Sequence, residues 1–101
     1  MKFLVRVEVR LPATFSSAER AELLRAELER GLQLRRSGAI ERIWRIPGGL
    51  RNVGIWEARD ATELHDMIAS VPLFDWIHVE VVPLAEHPIE RELRERGERP
   101  S

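Results

Sequence analysis

The stretch RIWRIPGGLRNVGIWEA, residues 42–58, decides the fold. Two apolar arms, each bearing a tryptophan, flank a Pro-Gly-Gly turn, which is the pattern of a β-hairpin. The spacing predicts strands over 40–46 and 52–58. Asn52 opens the second arm, two residues before Gly54 and four before Trp56. In an extended strand these three side chains share one face. An amide on such a face either satisfies the turn backbone, as asparagines beside glycine-rich turns often do, or stands at the edge of a pocket.

Upstream, FLVRVEVRL (3–11) sets Phe3, Val5, Val7, Val9 and Leu11 on one face and Arg6, Glu8 and Arg10 on the other, a strand buried on one side. Pro12 ends it. Ser16 or Ser17 then caps a helix running from about Ser17 to Ser37, with Glu19 and Glu22 near its positive end and Gly38 as its C′ residue. Downstream, Asp60 and Glu63 form an acidic capping box. Leu64, Ile68 and Val71 continue at helical spacing until Pro72 ends a second, shorter helix. A last strand spans about Trp76 to Leu84.

The order is βαββαβ. Its economical solution is a four-stranded antiparallel sheet with both helices on one face, the α+β ferredoxin-like arrangement. The other sheet face lacks a cover, so a dimer is the expected state. Residues 1–88 make one domain. The segment 89–101, IERELRERGERPS, is mostly charge with only Ile89 and Leu93 to bury, and is expected either to fray or to lie on a neighbouring subunit.

Composition narrows the chemistry. The chain of 101 residues is 44% hydrophobic and 33% charged with a net charge of −1, so it has no basic excess for binding nucleic acid. It contains no cysteine, which removes disulfides, thiolate metal sites and cysteine nucleophiles together. The N-terminus alternates charged and apolar residues, unlike a signal peptide or a membrane span, so a cytoplasmic protein is expected. His78 and Glu80 share a strand face, but two ligands do not make a metal site. No phosphate loop, dinucleotide fingerprint or nucleophile elbow occurs, and no metal or cofactor is expected. Trp44, Trp56 and Trp76 read as core or interface anchors.

One residue breaks the pattern of the first helix. On a wheel of 100° per residue, Ala21, Leu24, Leu28, Leu32, Gly31, Leu34 and Leu23 form an apolar arc, and Glu27 lies inside it. A carboxylate there either snorkels out, pairs with an arginine such as Arg20 or Arg35, or loses water. In the last case its pKa rises toward the working range of a general base. With Asn52 looking toward the helices, amide and carboxylate share one cavity, where Gly54 leaves space. His65, at the border of the second helix's stripe, either lines that pocket or plays a structural part.

Several segments carry a resemblance: FLVRVEVRLP (3–12), GAIERIWRIPG (38–48), the Asn52 strand, ELHDMIASVPLF (63–74), HVEV (78–81) and HP (87–88). Together they resemble the muconolactone Δ-isomerase family over about residues 1–88, leaving the charged tail outside. The resemblance implies a dimeric α+β barrel of ferredoxin-like chains assembled into a decamer. It also implies a cofactor-free enzyme of the β-ketoadipate pathway that takes a small lactone, converting muconolactone to 3-oxoadipate enol-lactone. Glu27 falls on the family's catalytic glutamate, as a proton-shuttling base, and Asn52 on its pocket asparagine, as a donor to the developing oxyanion. The substrate's free carboxylate needs an anchor, for which Arg51, Arg45 and Arg35 are candidates. Leu50 stands where the family pattern has a tyrosine. A lost donor in a small polar site costs about 1–3 kcal/mol when its partner is left unpaired, enough to alter the choice of substrate. Two other readings share the architecture: a cofactor-free oxygenase, and a non-catalytic oligomeric ligand-binding homologue.

Overall fold

The computed structural model describes residues 1–98. In chain order it contains β1 (Lys2–Val9), α1 (Ser17–Arg36), β2 (Ile40–Ile46), β3 (Arg51–Glu57), α2 (Ala61–Ala69), a single 3₁₀ turn at Phe74–Trp76, β4 (Ile77–Leu84) and α3 (Pro88–Glu95). The four strands form one antiparallel sheet in the order β2-β3-β1-β4. This is the α+β ferredoxin-like arrangement.

Local chemistry explains where each helix begins and ends. At α1 it is Ser16 that caps: its Oγ accepts the Glu19 N–H, and the Glu19 carboxylate accepts the Ser16 N–H, each at 3.0 Å. Gly38, at φ +85°, then turns the chain toward β2 in a conformation that side chains with a Cβ resist. At α2 the Asp60 carboxylate accepts the Glu63 N–H at 2.8 Å, and Pro72 follows three residues after the last helical one.

The register sets which side chains meet. Phe3, Val5 and Val7 of β1 stand opposite Trp56, Gly54 and Asn52 of β3, and Val5, Val7 and Val9 stand opposite Val81, Val79 and Ile77 of β4. This face carries the helices. Its core joins Phe3, Val5, Leu34, Ile40, Trp56, Leu64 and Ile68, with the Phe3 and Val5 side chains fully buried. The alternate residues, among them Leu4, Val53, Ile55, Val82 and Leu84, project from the other face, which no helix among the described residues covers.

The segment expected to fray or to rest on a neighbour holds a helix of its own. Pro88 occupies its first turn with φ already suited to a helix, the His87 Nδ1 accepts the Ile89 N–H at 3.0 Å, and Glu86 pairs with Arg91 and Arg94. The apolar count that suggested fraying missed these capping groups. Residues 99–101 of the expected tail lie outside the described residues.

Candidate active site

Between α1 and the helix-bearing sheet face lies a cavity of about 530 Å³, the size of pockets that hold small organic ligands. Its walls are apolar: Leu24, Leu28 and Leu32 from α1, Val7, Val9 and Ile77 from the sheet, and Trp44 and Trp56 from the hairpin. The polar groups on it are few. They are Glu27 and Arg35 of α1, Arg45 of β2 and Asn52 of β3.

The apolar arc of α1 explains why the space exists. Only Leu34 of that helix is fully buried, whereas Leu28 is 62% exposed. The arc faces an open cavity rather than a closed core. Glu27, inside the arc, is half-buried at its wall.

The Glu27 Oε1 accepts the backbone N–H of Leu73 at 3.0 Å. That N–H is free because α2 has ended and Pro72 has broken the chain's own hydrogen bonding. Among the described residues no cation lies within ion-pairing distance of Glu27, so neither Arg20 nor Arg35 neutralises it. Burial therefore raises its pKa above the ordinary carboxylate range, with the Leu73 N–H opposing part of the rise. Leu73 was not foreseen from the sequence. The signal was available in the Pro72-Leu73 step, which leaves an N–H unused at a helix end.

Asn52 stands between Val7 on β1 and Arg45 on β2. Its amide does not serve the turn; that work falls to Arg51, whose Nη2 donates to the Pro47 carbonyl at 3.0 Å. Arg45 donates from Nη1 to the Arg51 carbonyl at 3.2 Å. Like Arg35, Arg45 has no carboxylate partner among the described residues. Leu50, which closes the turn, lines the same cavity.

Three residues expected at the pocket lie elsewhere. Arg51 projects from the other sheet face, in a shallow hollow of about 170 Å³ shared with Arg6, Glu8, His78 and Glu80, because it is one residue out of phase with Asn52. His65 is exposed and meets Phe74 edge-to-face at 6.1 Å. Gly54 is buried, and a Cβ there would stand 2.9 Å from the Arg42 carbonyl oxygen. Its missing side chain thus admits the irregular stretch of β2 between Ile40 and Arg42, where the register shifts, rather than opening the cavity. Trp44 and Trp56, read from sequence as packing residues, do line it. Among the described residues no group of three or more His, Asp or Glu side chains is placed to hold a metal ion, and no helix is long and apolar enough to cross a membrane.

A family model described as muconolactone delta-isomerase matches residues 1–90. The chain belongs to the muconolactone Δ-isomerase family. The muconolactone Δ-isomerase of Rhodococcus opacus is 35% identical over 85 residues, covering 84% of this chain and 91% of that one. That of Cupriavidus pinatubonensis is 32% identical over 88 residues, covering 87% and 96%. A crystal structure of muconolactone isomerase superposes with a TM-score of 0.81 at 33% identity, covering 87% of this chain and 92% of that chain. The 5-chloro-2-hydroxyhydroquinone dehydrochlorinase of Burkholderia phenoliruptrix, at 18% identity and a TM-score of 0.65, shares the fold. As a muconolactone Δ-isomerase family member the chain keeps the cavity, Glu27 and Asn52 well within the matched region, whereas most of α3 lies beyond it.

Proposed function

We propose that the protein is an intramolecular isomerase that converts muconolactone, or a closely related substituted lactone, to the corresponding 3-oxoadipate enol-lactone. It belongs in this reading to the cytoplasmic β-ketoadipate route of aromatic catabolism, and works without cofactor. The observation that carries the proposal is Glu27: a carboxylate without a cation, raised in pKa, on the wall of an apolar cavity that also holds an amide and two arginines.

The chemistry asks for little more. Glu27 takes the proton from the ring carbon that bears the carboxymethyl arm, and the electron pair moves through the ring double bond onto the lactone carbonyl, giving a dienolate. The same carboxyl group returns the proton to the carbon next to that carbonyl, so no atom is gained or lost. A base near its own pKa is suited to both halves of this exchange. Asn52 donates from its amide to the developing oxyanion. Arg45 and Arg35 hold the substrate's free carboxylate, and the apolar walls pack against its ring.

The uncovered sheet face supports assembly as a homo-oligomer, at least a dimer and in the family's manner a decamer. Leu4, Val53, Ile55, Val82 and Leu84 present an apolar surface of the kind that a second sheet covers. Light scattering on the purified protein tests this: a monomeric mass at micromolar concentration contradicts it.

The reaction is tested by incubating the purified protein with muconolactone under argon and following the product by nuclear magnetic resonance. Stoichiometric formation of the enol-lactone is expected. A reaction that requires oxygen identifies an oxygenase instead, and no reaction at all a binding protein.

A further inference from the structure

Glu27 is not alone among the residues of α1 in reaching the far end of α2. One turn further along, Arg30 donates from Nε and Nη2 to the Ser70 Oγ at 3.0 and 2.8 Å. Both partners of this bridge are held in turn: the Arg30 Nη1 donates to the Gln33 Oε1 at 3.0 Å, and the Ser70 Oγ donates to the Met67 carbonyl at 2.6 Å. Ser70 is exposed and neither residue belongs to the core. A hydrogen bond in such a place adds only modestly to stability, so its use lies in its geometry.

The spacing of the two ties is matched. Glu27 and Arg30 stand three residues apart on one face of α1, about 4.5 Å along its axis, and their partners Leu73 and Ser70 stand three apart in the opposite direction. Among the described residues no other hydrogen bond joins α1 to residues 61–76. The backbone bonds around Leu73 close within its own segment: Val71 N–H to the Ile68 carbonyl, Phe74 N–H to that of Val71 and Trp76 N–H to that of Leu73. The Leu73 side chain is buried, but apolar burial has no direction. It holds the segment down without fixing where it stands along α1. Two directional ties a turn apart do fix it.

The consequence falls on the carboxylate. The Leu73 N–H occupies Oε1, and among the described residues Oε2 has no hydrogen-bond partner. No buried side-chain oxygen there is left without one, so Oε2 is open to the cavity that Glu27 lines. The last torsion of a glutamate is soft. Only a donor that stays in place keeps the two oxygens distinct.

We propose that Arg30 and Ser70 are positioning residues for Glu27: their bridge holds the Leu73 N–H on Oε1 and keeps Oε2 directed into the cavity. Neither residue lines the cavity itself, so both act through the segment between Ser70 and Leu73. The kinetic part of the proposal rests on the isomerase reading, in which Oε2 carries the proton. The geometric part does not.

Ser70→Ala breaks the bridge without changing any charge. The cations around Glu27 all remain, Arg30 one turn away and Arg35 and Arg45 on the cavity wall; no other ionisable group lines the cavity, and the chain from Ser70 to Phe74 brings none. In full-length protein carrying isotopically labelled glutamate, the Glu27 carboxyl signal is assigned by its loss in Glu27→Gln and titrated by nuclear magnetic resonance. With the Leu73 N–H loosened, the ionised carboxylate loses a donor, so its titration midpoint is expected to move up in Ser70→Ala and to return in Ser70→Thr, which restores the hydroxyl. On muconolactone, Ser70→Ala is expected to lower kcat by about 10-fold with KM little changed, and to carry the acid limb of kcat/KM upward by the same shift. Adding Ser70→Ala to Arg30→Ala is expected to cost nothing further, since both remove one bridge. A folded Ser70→Ala whose Glu27 titrates as in the wild type, or whose Tm falls while titration and kcat stand still, overturns the proposal. If the wild type does not turn over muconolactone, the isomerase reading fails and the titration still decides the bridge.

Discussion

The backbone N–H of Leu73 donates to the Glu27 carboxylate at 3.0 Å, tying α1 to the chain just past Pro72. This bond fixes the carboxylate's place at the cavity wall without neutralising it. A cation in the same position would hold the group ionised and weak as a base. A single neutral donor leaves most of the burial penalty in force.

The pH dependence follows from that balance. As the base, Glu27 must be ionised in the free enzyme, so kcat/KM falls as pH falls through its pKa. Burial places that pKa above the ordinary carboxylate range. The acid limb of the kcat/KM profile is therefore expected above that range and is expected to be absent from the residual activity of Glu27→Gln. A limb at or below the ordinary range contradicts the assignment.

The same group makes a stability prediction of opposite sense to the usual buried ion pair. A carboxyl group whose pKa is raised on folding binds more protons folded than unfolded, so its contribution to stability declines as pH rises from its unfolded pKa to its folded one. Above that window the penalty is constant. Glu27→Gln removes it while keeping an oxygen to accept the Leu73 N–H. Thermal denaturation at neutral pH is expected to give the variant a Tm at or above that of the wild type, with the difference gone below the unfolded pKa. A variant less stable than the wild type at neutral pH contradicts this account.

Substitutions around the cavity separate donor from anchor. Asn52→Ala is expected to lower kcat by roughly 100-fold, the usual loss for one oxyanion donor, with a small change in KM. Arg45→Ala and Arg35→Ala are expected to act on KM instead, by about 10-fold or more, as befits hydrogen bonds to a charged group. Arg51→Ala, on the other sheet face, leaves both constants unchanged. Steady-state kinetics on the four variants checks the pattern, and a kcat effect at Arg51 breaks it.

Gly54 carries a purely structural prediction. A Cβ at this buried position stands 2.9 Å from the Arg42 carbonyl, a backbone atom of the neighbouring strand that cannot swing aside. Gly54→Ala is expected to cost about 1–3 kcal/mol, as overpacking does, and to lower the Tm. An unchanged Tm would mean that β2 shifts without cost.

The sequence carried the fold because its signals agreed with one another. Period-two alternation in β1, the Pro-Gly-Gly turn, the acid-capped α2 and the prolines that follow β1 and α2 all pointed to one topology. The site was legible only where a residue violated its pattern, as Glu27 does in the arc of α1 and Asn52 does on the face it shares with Trp56. Residues that obey the pattern gave no such sign. Trp44 lines the cavity from an edge strand and looks like any packing tryptophan. Leu73 acts through its backbone, which every residue has. Arg51 and Gly54 were drawn toward the site by nearness in sequence, whereas strand phase and the irregularity in β2 decide where they lie. The capping of α3 by His87 and Pro88 was hidden beneath the high charge of the segment.

The central claim is that Glu27 moves the proton. The most direct measurement compares kcat of wild type and Glu27→Gln on muconolactone under argon, with both proteins shown to be folded and equally assembled. The account predicts rapid turnover by the wild type and a loss of at least about 100-fold in the variant, the contribution expected of a positioned general base. Turnover by Glu27→Gln within a few-fold of the wild type would contradict it.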